Sequence, residues 1–387
     1  MKHTMRKTAV VCAMSAAGFS AHAANVGGTE MNFSGYIKAD AMFSDYSDGT
    51  ISSGSVGRDF YIPSLTPVGG NKEGSQFDAH IRQSRFRIAT NTPTDNGESI
   101  QGVLEMDFNV TAGGDERISN SYTPRVRHAY LQYKEWLVGQ TWTTFMDVSI
   151  LPESLDFIGV TDGVTFGRQT MVRYTSGGLQ VALENPETTV TSGVDGGRIV
   201  ADDNAVPDLI AAYTLKNDWG HVKVAGLIRQ LSYDDGVAVD DEETGYGIAV
   251  SGKVNFANGD DLRLMVNAGA GMGRYTALNA ANGVVIDAAN GNQLEAIDSY
   301  GYSIAYRHQW NDKSRSSFMF SALQVDNDTS LSGLTATEST LSARVNYLYS
   351  PTPALTFGGE YGYAKREIES GLDGDMNRIQ FSGKYAF

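Results

Sequence analysis

The last ten residues, Arg378 to Phe387, read R-I-Q-F-S-G-K-Y-A-F. Laid out as an extended chain, Ile379, Phe381, Tyr385 and Phe387 project to one side with Gly383 among them. Arg378, Gln380, Ser382 and Lys384 project to the other. This alternation with period two marks a strand that has one apolar and one polar face. A strand of a soluble sandwich alternates in the same way, so the rest of the chain has to discriminate. If this strand closes a barrel, the preceding residues must supply its partners.

They supply about sixteen alternating segments. The first spans Met31 to Phe43, with Phe33, Ile37, Ala41 and Phe43 opposed to Asn32, Ser34, Lys38 and Asp40. A second spans about Asp78 to Thr92. After the turn Pro93-Thr94-Asp95-Asn96-Gly97, a third spans about Ser99 to Thr111. On that third strand Ile100, Leu104, Met106, Phe108 and Val110 point out, and Gln101, Glu105, Asp107 and Asn109 point in. Short turns such as Lys134-Glu135, Ser176-Gly177-Gly178 and Asn258-Gly259-Asp260 alternate with long polar connections near Ala112 to Pro124, Thr143 to Gly167, Asn185 to Val206 and Met272 to Ile297. Short turns on one rim and long loops on the other are the mark of a transmembrane barrel with an even strand count; a sandwich gives no reason for such inequality. Aromatic residues near strand ends, Tyr246 and Phe256, Tyr300 and Tyr306, Tyr347 and Tyr349, Phe357 and Tyr363, fit two interfacial girdles. The fold expected is therefore all-β, a 16-stranded antiparallel transmembrane barrel with long outer loops and short periplasmic turns. The acidic stretch Asp234 to Glu243 reads as a solvated outer loop without metal-loop spacing, and no metal or cofactor is called for.

Composition agrees. Of 387 residues 43 are Gly, and the mean hydropathy of −0.26 hides any membrane character because lipid-facing and lumen-facing residues average out. No apolar run approaches the roughly 20 residues of a spanning helix. Lys2, Arg6 and Lys7 precede a small, apolar stretch that ends at Ala21-His22-Ala23, the pattern of a cleaved secretory leader over residues 1–23. The barrel then occupies 24–387 as one domain. The single Cys, Cys12, leaves with the leader, so no disulfide, thiolate metal site or Cys nucleophile remains. Without the three leader cations, 27 basic residues face 45 acidic ones, a net charge of −18 that argues against nucleic acid as partner. A surface so acidic would meet lipopolysaccharide phosphates in the outer membrane only with divalent cations between them.

The closing strand resembles those of bacterial outer-membrane barrels, whose final aromatic, here Phe387, the insertion machinery reads. Several stretches are more specific. Arg125 to Tyr133 (R-V-R-H-A-Y-L-Q-Y), Val138 to Asp147 (V-G-Q-T-W-T-T-F-M-D), Arg168 to Tyr174 (R-Q-T-M-V-R-Y) and Val181 to Thr188 (V-A-L-E-N-P-E-T) resemble the DcaP-like trimeric porins of Gram-negative bacteria. Pro207 to Tyr213 and Tyr347 to Pro351 agree as well. The resemblance implies a sixteen-stranded barrel, a homotrimer and passive uptake of small solutes, with anionic carboxylates such as dicarboxylates favoured. Some members carry a helical arm before the barrel; here only Ala24 to Glu30 precede the first strand, and no arm is expected.

A passage that performs no chemistry works through the charge on its walls. Arg85 and Arg87 on the second strand, Arg125 and Arg127 on the fourth and Arg173 on the sixth fall in the lumen phase, because Arg facing lipid at mid-bilayer costs about 2 to 4 kcal/mol. Arg82 and Arg168 fall in the opposite phase to their neighbours and rank lower. Wall pairing with Glu105 or Asp107 is the alternative role for any of these Arg residues. Thr143 to Gly167 is the candidate third loop, folded into the lumen as in trimeric porins. Its apolar content, with Phe145, Ile150, Leu151, Leu155, Phe157 and Ile158, suits a packed wall better than water. Its acids Asp147, Glu153, Asp156 and Asp162 are then expected to face the Arg wall across the constriction. Small anions are the expected solutes, with a general cation-preferring porin as the alternative.

A barrel enzyme would need a base beside a nucleophile. His80, His128, His221 and His308 have no such surroundings in the sequence, and an adhesin would have no use for an inward loop. Bilayer conductance separates these readings. The leader assignment predicts that the protein recovered from the outer-membrane fraction starts at Ala24; N-terminal sequencing that finds Met1 there contradicts it.

Overall fold

The computed structural model describes residues 24–110, 119–193 and 197–387. The expected leader at 1–23, with Cys12, and the parts of the expected loops at 111–118 and 194–196 lie outside these residues. The described residues form a closed antiparallel barrel of sixteen strands. Numbered in chain order, the wall is β1 (Thr29–Tyr46), β2 (Gln76–His80 and Arg85–Pro93), β3 (Ser99–Asp107), β4 (Arg125–Tyr133), β5 (Trp136–Trp142), β6 (Arg168–Ser176), β7 (Leu179–Glu184) and β8 (Asp208–Asn217). It continues with β9 (Gly220–Asp234), β10 (Asp240–Asn255), β11 (Asp261–Ala270), β12 (Asp298–Asn311), β13 (Ser314–Asp326), β14 (Thr337–Thr352), β15 (Leu355–Ile368) and β16 (Asp373–Ala386).

Alternation dictates the two faces. On β16, Ile379, Phe381 and Tyr385 are about half exposed, at 47, 53 and 50%, while Arg378 and Gln380 are at 1%. Barrel closure is the pairing of β16 with β1, from Tyr36 opposite Ala386 to Tyr46 opposite Met376. Phe387 extends the seam: its N–H donates to Gly35 O at 3.0 Å, Gly35 N–H returns the bond at 2.9 Å, and its ring lies 5.6 Å from Phe33 and 6.4 Å from Phe86. The anticipated girdle residues are exposed on the outer face, apart from Tyr363, which is half-buried and donates to Asp375.

Two irregularities correct the sequence reading of which side chains turn inward. The second strand is broken at 81–84 by a turn in which Ser84 N–H reaches Ile81 O at 2.9 Å. The break explains why Arg82 is out of phase with Arg85. The second irregularity is a bulge in β4. Glu105 stands opposite His128 and Met106 opposite Val126, so Arg127 is the extra residue. Arg125 and Arg127 both turn inward, and beyond the bulge the phase inverts. His128 is therefore buried, with Nδ1 3.0 Å from Thr141 Oγ1, and Leu131 points out at 50% exposure. Gln132 is opposite the buried Leu137, on the inner face. Strict alternation had placed His128 and Gln132 outward, and Ala129 and Leu131 inward.

Outside the wall, Thr188–Ser192, Gly197–Ala201, Val284–Asp287 and Gln293–Ala296 form a second, four-stranded sheet from the loops after β7 and β11. The acidic stretch 234–243 is half strand: β9 and β10 stay paired up to Asp234 and Asp240, so it forms the tip of a long hairpin. Asp235 there accepts from the N–H groups of Val237, Ala238 and Val239, which hold its carboxyl below the usual range.

The core is internal. The loop 143–167, L3, folds into the barrel and packs Met146, Ile150, Ile158, Val164 and Phe166 with Phe60 and Met265. Its backbone presses on the wall at Gly163, where Asn267 Nδ2 donates to the carbonyl at 2.7 Å and the N–H donates to Ser321 Oγ at 2.6 Å. A Cβ at Gly163 would collide with the backbone of Tyr302 and with Ala322 O. Gly163→Val should therefore push this stretch of L3 toward the barrel axis, at about 1 to 3 kcal/mol of overpacking. The expected result is a lower single-channel conductance from a barrel that still shows a heat-modifiable band on gels; an unchanged or larger conductance would contradict the packing.

Candidate functional site

The wall of β2 to β6 carries the Arg residues singled out from the sequence. Arg85, Arg87, Arg125, Arg127 and Arg173 sit on the inner phase of their strands, with Arg168 at the start of β6. Between them, on β3, stand Glu105 and Asp107. Arg127 joins both acids, with Nε 2.9 Å from Glu105 Oε1 and Nη1 2.8 Å from Asp107 Oδ2. Arg125 grips Asp107 by two bonds of 2.9 and 2.8 Å, and Arg85 lies 3.3 Å from Glu105. Pairing of this kind holds the acids in place and spreads the cations along the wall.

The other Arg residues differ. Arg87 is opposite Glu105 in the ladder, but among the described residues it forms no ion pair, and its Nε is buried without a partner. The Arg168 guanidinium lies over Trp142, 4.5 Å from the ring centre, and 5.7 Å from that of Phe166; its Nη1 also lacks a partner. Arg173 donates to Trp142 O at 3.4 Å. Arg82, at the break in β2, turns away to Asp59, 3.3 Å distant, and over Tyr122. Six guanidinium groups thus share the inner wall with the two β3 carboxylates.

L3 meets this wall with aromatic rings. Phe157 lies 5.6 Å from the Arg125 guanidinium and 5.3 Å from that of Arg127. A ring face attracts a guanidinium without using up its in-plane N–H donors. The L3 acids go elsewhere, which corrects the expectation that Asp147, Glu153, Asp156 and Asp162 face the Arg wall. Asp147 accepts from His221 Nε2 at 2.7 Å and Ser251 Oγ at 3.0 Å, on β9 and β10. Glu153 takes both ends of Arg315 on β13, at 2.5 and 2.6 Å. Asp156 accepts from Tyr61 N–H at 3.0 Å and lies 3.4 Å from Arg344 and 3.9 Å from Arg378. Asp162 accepts from Tyr61 Oη at 2.7 Å and from Ser342 Oγ.

The reason lies in residues that the sequence reading passed over. The far wall has its own inward cations and carbonyl-seeking donors. Lys38 donates to Leu155 O at 2.5 Å and Lys223 to Met146 O at 2.7 Å, and Arg263 reaches Leu151 O. Glu360, on β15, accepts from Leu155 N–H at 2.9 Å and from Ser154 Oγ at 2.8 Å. A signal was present, since Lys38, Lys223, Arg263, Arg315, Arg344 and Glu360 all alternate with lipid-facing residues. Among the described residues no cluster of three or more His, Asp or Glu side chains fits a metal ion.

Comparison with known proteins decides what such a barrel is. The model of the DcaP outer membrane protein family matches residues 14–387. The chain belongs to this family. It is accordingly an outer-membrane channel of the porin type. The crystal structure of the outer membrane channel DcaP of Acinetobacter baumannii superposes with a TM-score of 0.78 at 23% identity, over 93% of this chain and 98% of that one. An anion-selective porin from Comamonas acidovorans gives 0.59 at 9%, over 93% and 100%. OmpT of Vibrio cholerae in its trimer form gives 0.54 at 13%, over 93% and 99%. At these identities the structures share the fold. No curated protein matches the sequence.

In this DcaP family member the fastening at Asp147 sets a pH window. Burial raises the Asp147 carboxyl, but hydrogen bonds from His221 and Ser149 outweigh it and hold the group at about 2, against an ordinary 3.8. A depressed carboxylate stabilises the folded state above its ordinary value and loses that contribution as pH falls through the depressed one. The contribution of this fastening should therefore be intact at neutral pH, and current noise should rise as pH falls below about 4. Asp147→Asn should show the same noise at neutral pH, since stripping one partner from a buried charged cluster costs about 3 to 5 kcal/mol. Quiet single-channel traces from that variant at pH 7 would contradict the assignment.

Proposed function

We propose that the channel passes small hydrophilic solutes by diffusion and prefers anions, among them dicarboxylates. The observation that carries this reading is the imbalance on the inner wall, six guanidinium groups against Glu105, Asp107 and, on β7, the buried Glu184, while the L3 acids are bonded to the opposite wall. Selectivity is set where the field is focused and water is scarce, so the net charge of −18, carried largely outside, matters less. Salt screens those outer charges beyond about 8 Å at physiological ionic strength. Arg87 and Arg168 form no ion pair within the described residues, and each keeps a buried guanidinium nitrogen without a partner, so a carboxylate that reached them would meet an unused charge-assisted donor. A dicarboxylate steps between such groups with no covalent chemistry. The Comamonas porin of the same fold is itself anion-selective.

The working unit is a homotrimer. His128 and Gln132 turn inward and so give no argument for an interface. Wall height does: β4 to β7 have 9, 7, 9 and 6 residues, against 15 and 16 in β9 and β10. A seven-residue strand extends about 23 Å before tilt, less than the roughly 25 Å apolar band of a barrel in its membrane. Neighbouring copies that cover this low wall remove the mismatch, and the Vibrio protein has a trimer form. Outer-membrane lipid surrounds the taller wall, and Phe387 at the seam is the feature for the insertion machinery.

Reversal potentials in a salt gradient should show anion preference. Arg87→Ala with Arg168→Ala should shift them toward cations, while Lys365→Ala, whose Lys is paired with Asp373 at 2.6 Å near the outer rim, should change little. Cation selectivity in the unmodified protein would defeat this reading in favour of a general cation-preferring porin. Crosslinking in mild detergent should give trimers; a species that remains monomeric contradicts the assembly.

A further inference from the structure

We propose that the outer mouth holds a second, separate anion site, which captures a carboxylate-bearing solute on Arg198 and Arg366 before it reaches the constriction. The two Arg residues line one cavity of about 280 Å³ between the loops after β1, β7, β11 and β13. It is too small for a macromolecule and near the lower end of the volumes that hold small ligands. Arg198 comes from the four-stranded outer sheet. Its Nε donates to Asn282 Oδ1 at 2.6 Å and its Nη2 to Asn279 O at 2.5 Å. Arg366 comes from the top of β15, opposite Thr340 in the ladder. Ser342, two residues along on that face, bonds the L3 residue Asp162, so Arg366 points into the lumen. Its Nε donates to Thr337 Oγ1 at 3.1 Å and its Nη1 to Ser64 O at 2.8 Å.

Each guanidinium is thus held by Nε and one Nη, and the remaining Nη has no partner among the described residues and is not a buried orphan. Every acceptor is neutral: an amide, a hydroxyl or a carbonyl. Neither Arg forms an ion pair among the described residues, although the chain has 45 acidic residues. No carboxylate lines the cavity, and the nearby Glu369 is held by Asn327 Nδ2 at 2.7 Å. Thr191, Asn282, Asn327 and Thr337 add neutral hydrogen-bonding groups to the lining. Two positioned, uncompensated guanidinium groups in a polar cavity are suited to an anion with planar oxygens. A site that meets the solute ahead of the constriction also raises its local concentration there.

The test uses the full protein in planar bilayers, with succinate added on the outer-loop side and glucose as the neutral control. Succinate should interrupt the current in a concentration-dependent way, and glucose should not. Arg198→Ala and Arg366→Ala should each raise the half-blocking concentration about tenfold, the loss expected for one charge-assisted bond. Arg366→Lys should fall between, and succinate from the turn side should block all variants alike. Arg198→Ala decides the matter if Arg366→Ala fails to fold, because Arg198 lies on an exposed loop strand. An unchanged half-blocking concentration in Arg198→Ala, or no outer block at all in the unmodified channel, overturns the site. Cation preference in a salt gradient with outer block intact keeps the site and defeats only the selectivity reading above.

Discussion

The fastening of L3 to the far wall is the constraint on which the rest of the molecule depends. At its centre Asp156 sits between Arg344 and Arg378, and Arg344 reaches Glu360 at 3.0 Å, all with side chains at most 1% exposed. Charges taken out of water this far are tolerated only with partners close by. The loop therefore cannot drift: withdrawing Glu153 or Asp156 would strand Arg315, Arg344 or Arg378 on the wall. Because L3 is fixed on that side, its rings Phe157 and Phe166 are what it offers to the Arg side.

Much of the wall was legible in the sequence, because lipid on one side and a crowded lumen on the other leave little freedom in side-chain phase. Ile379, Phe381, Arg378 and Gln380 lie as their alternation requires, and so do Glu105 and Asp107. The bulge at Arg127 was not legible. One extra residue inverts the phase without a composition signal, and the sole hint was the awkward inward placement of Ala129 and Leu131. The inward folding of L3 followed from its apolar residues, but the destination of its acids did not. That depends on which of two cationic walls lies nearer, a question of three-dimensional reach that spacing along the chain does not answer. Pairing of Arg85, Arg125 and Arg127 with the β3 acids was one of two roles open for them; Arg87 and Arg168, without such partners, could be told apart only by distance.

The charge distribution shows two regimes in one chain. Acidic residues at loop tips, such as Asp235 at the β9–β10 hairpin, stand in water and serve their own turns. Many acidic residues in the lumen are paired with cations, as Glu153 is with Arg315. A bulk quantity such as net charge averages over both and says little of the field inside.

The sequence separations of the L3 contacts have a consequence for assembly. Ser154 bonds Glu360 across 206 positions and Asp162 bonds Ser342 across 180. Nearly every group that receives L3 belongs to strands made after it, while the Arg wall it faces is made mostly before. During synthesis and insertion the loop's acids and apolar side chains must wait, without their final partners, until the C-terminal strands arrive. High contact order of this kind delays the reward for ordering a segment. Completing the seating of the loop and sealing the β16–β1 seam are therefore coupled late events, so a barrel arrested before its last three strands would leave Asp156 without its Arg partners as well as a wall with a gap.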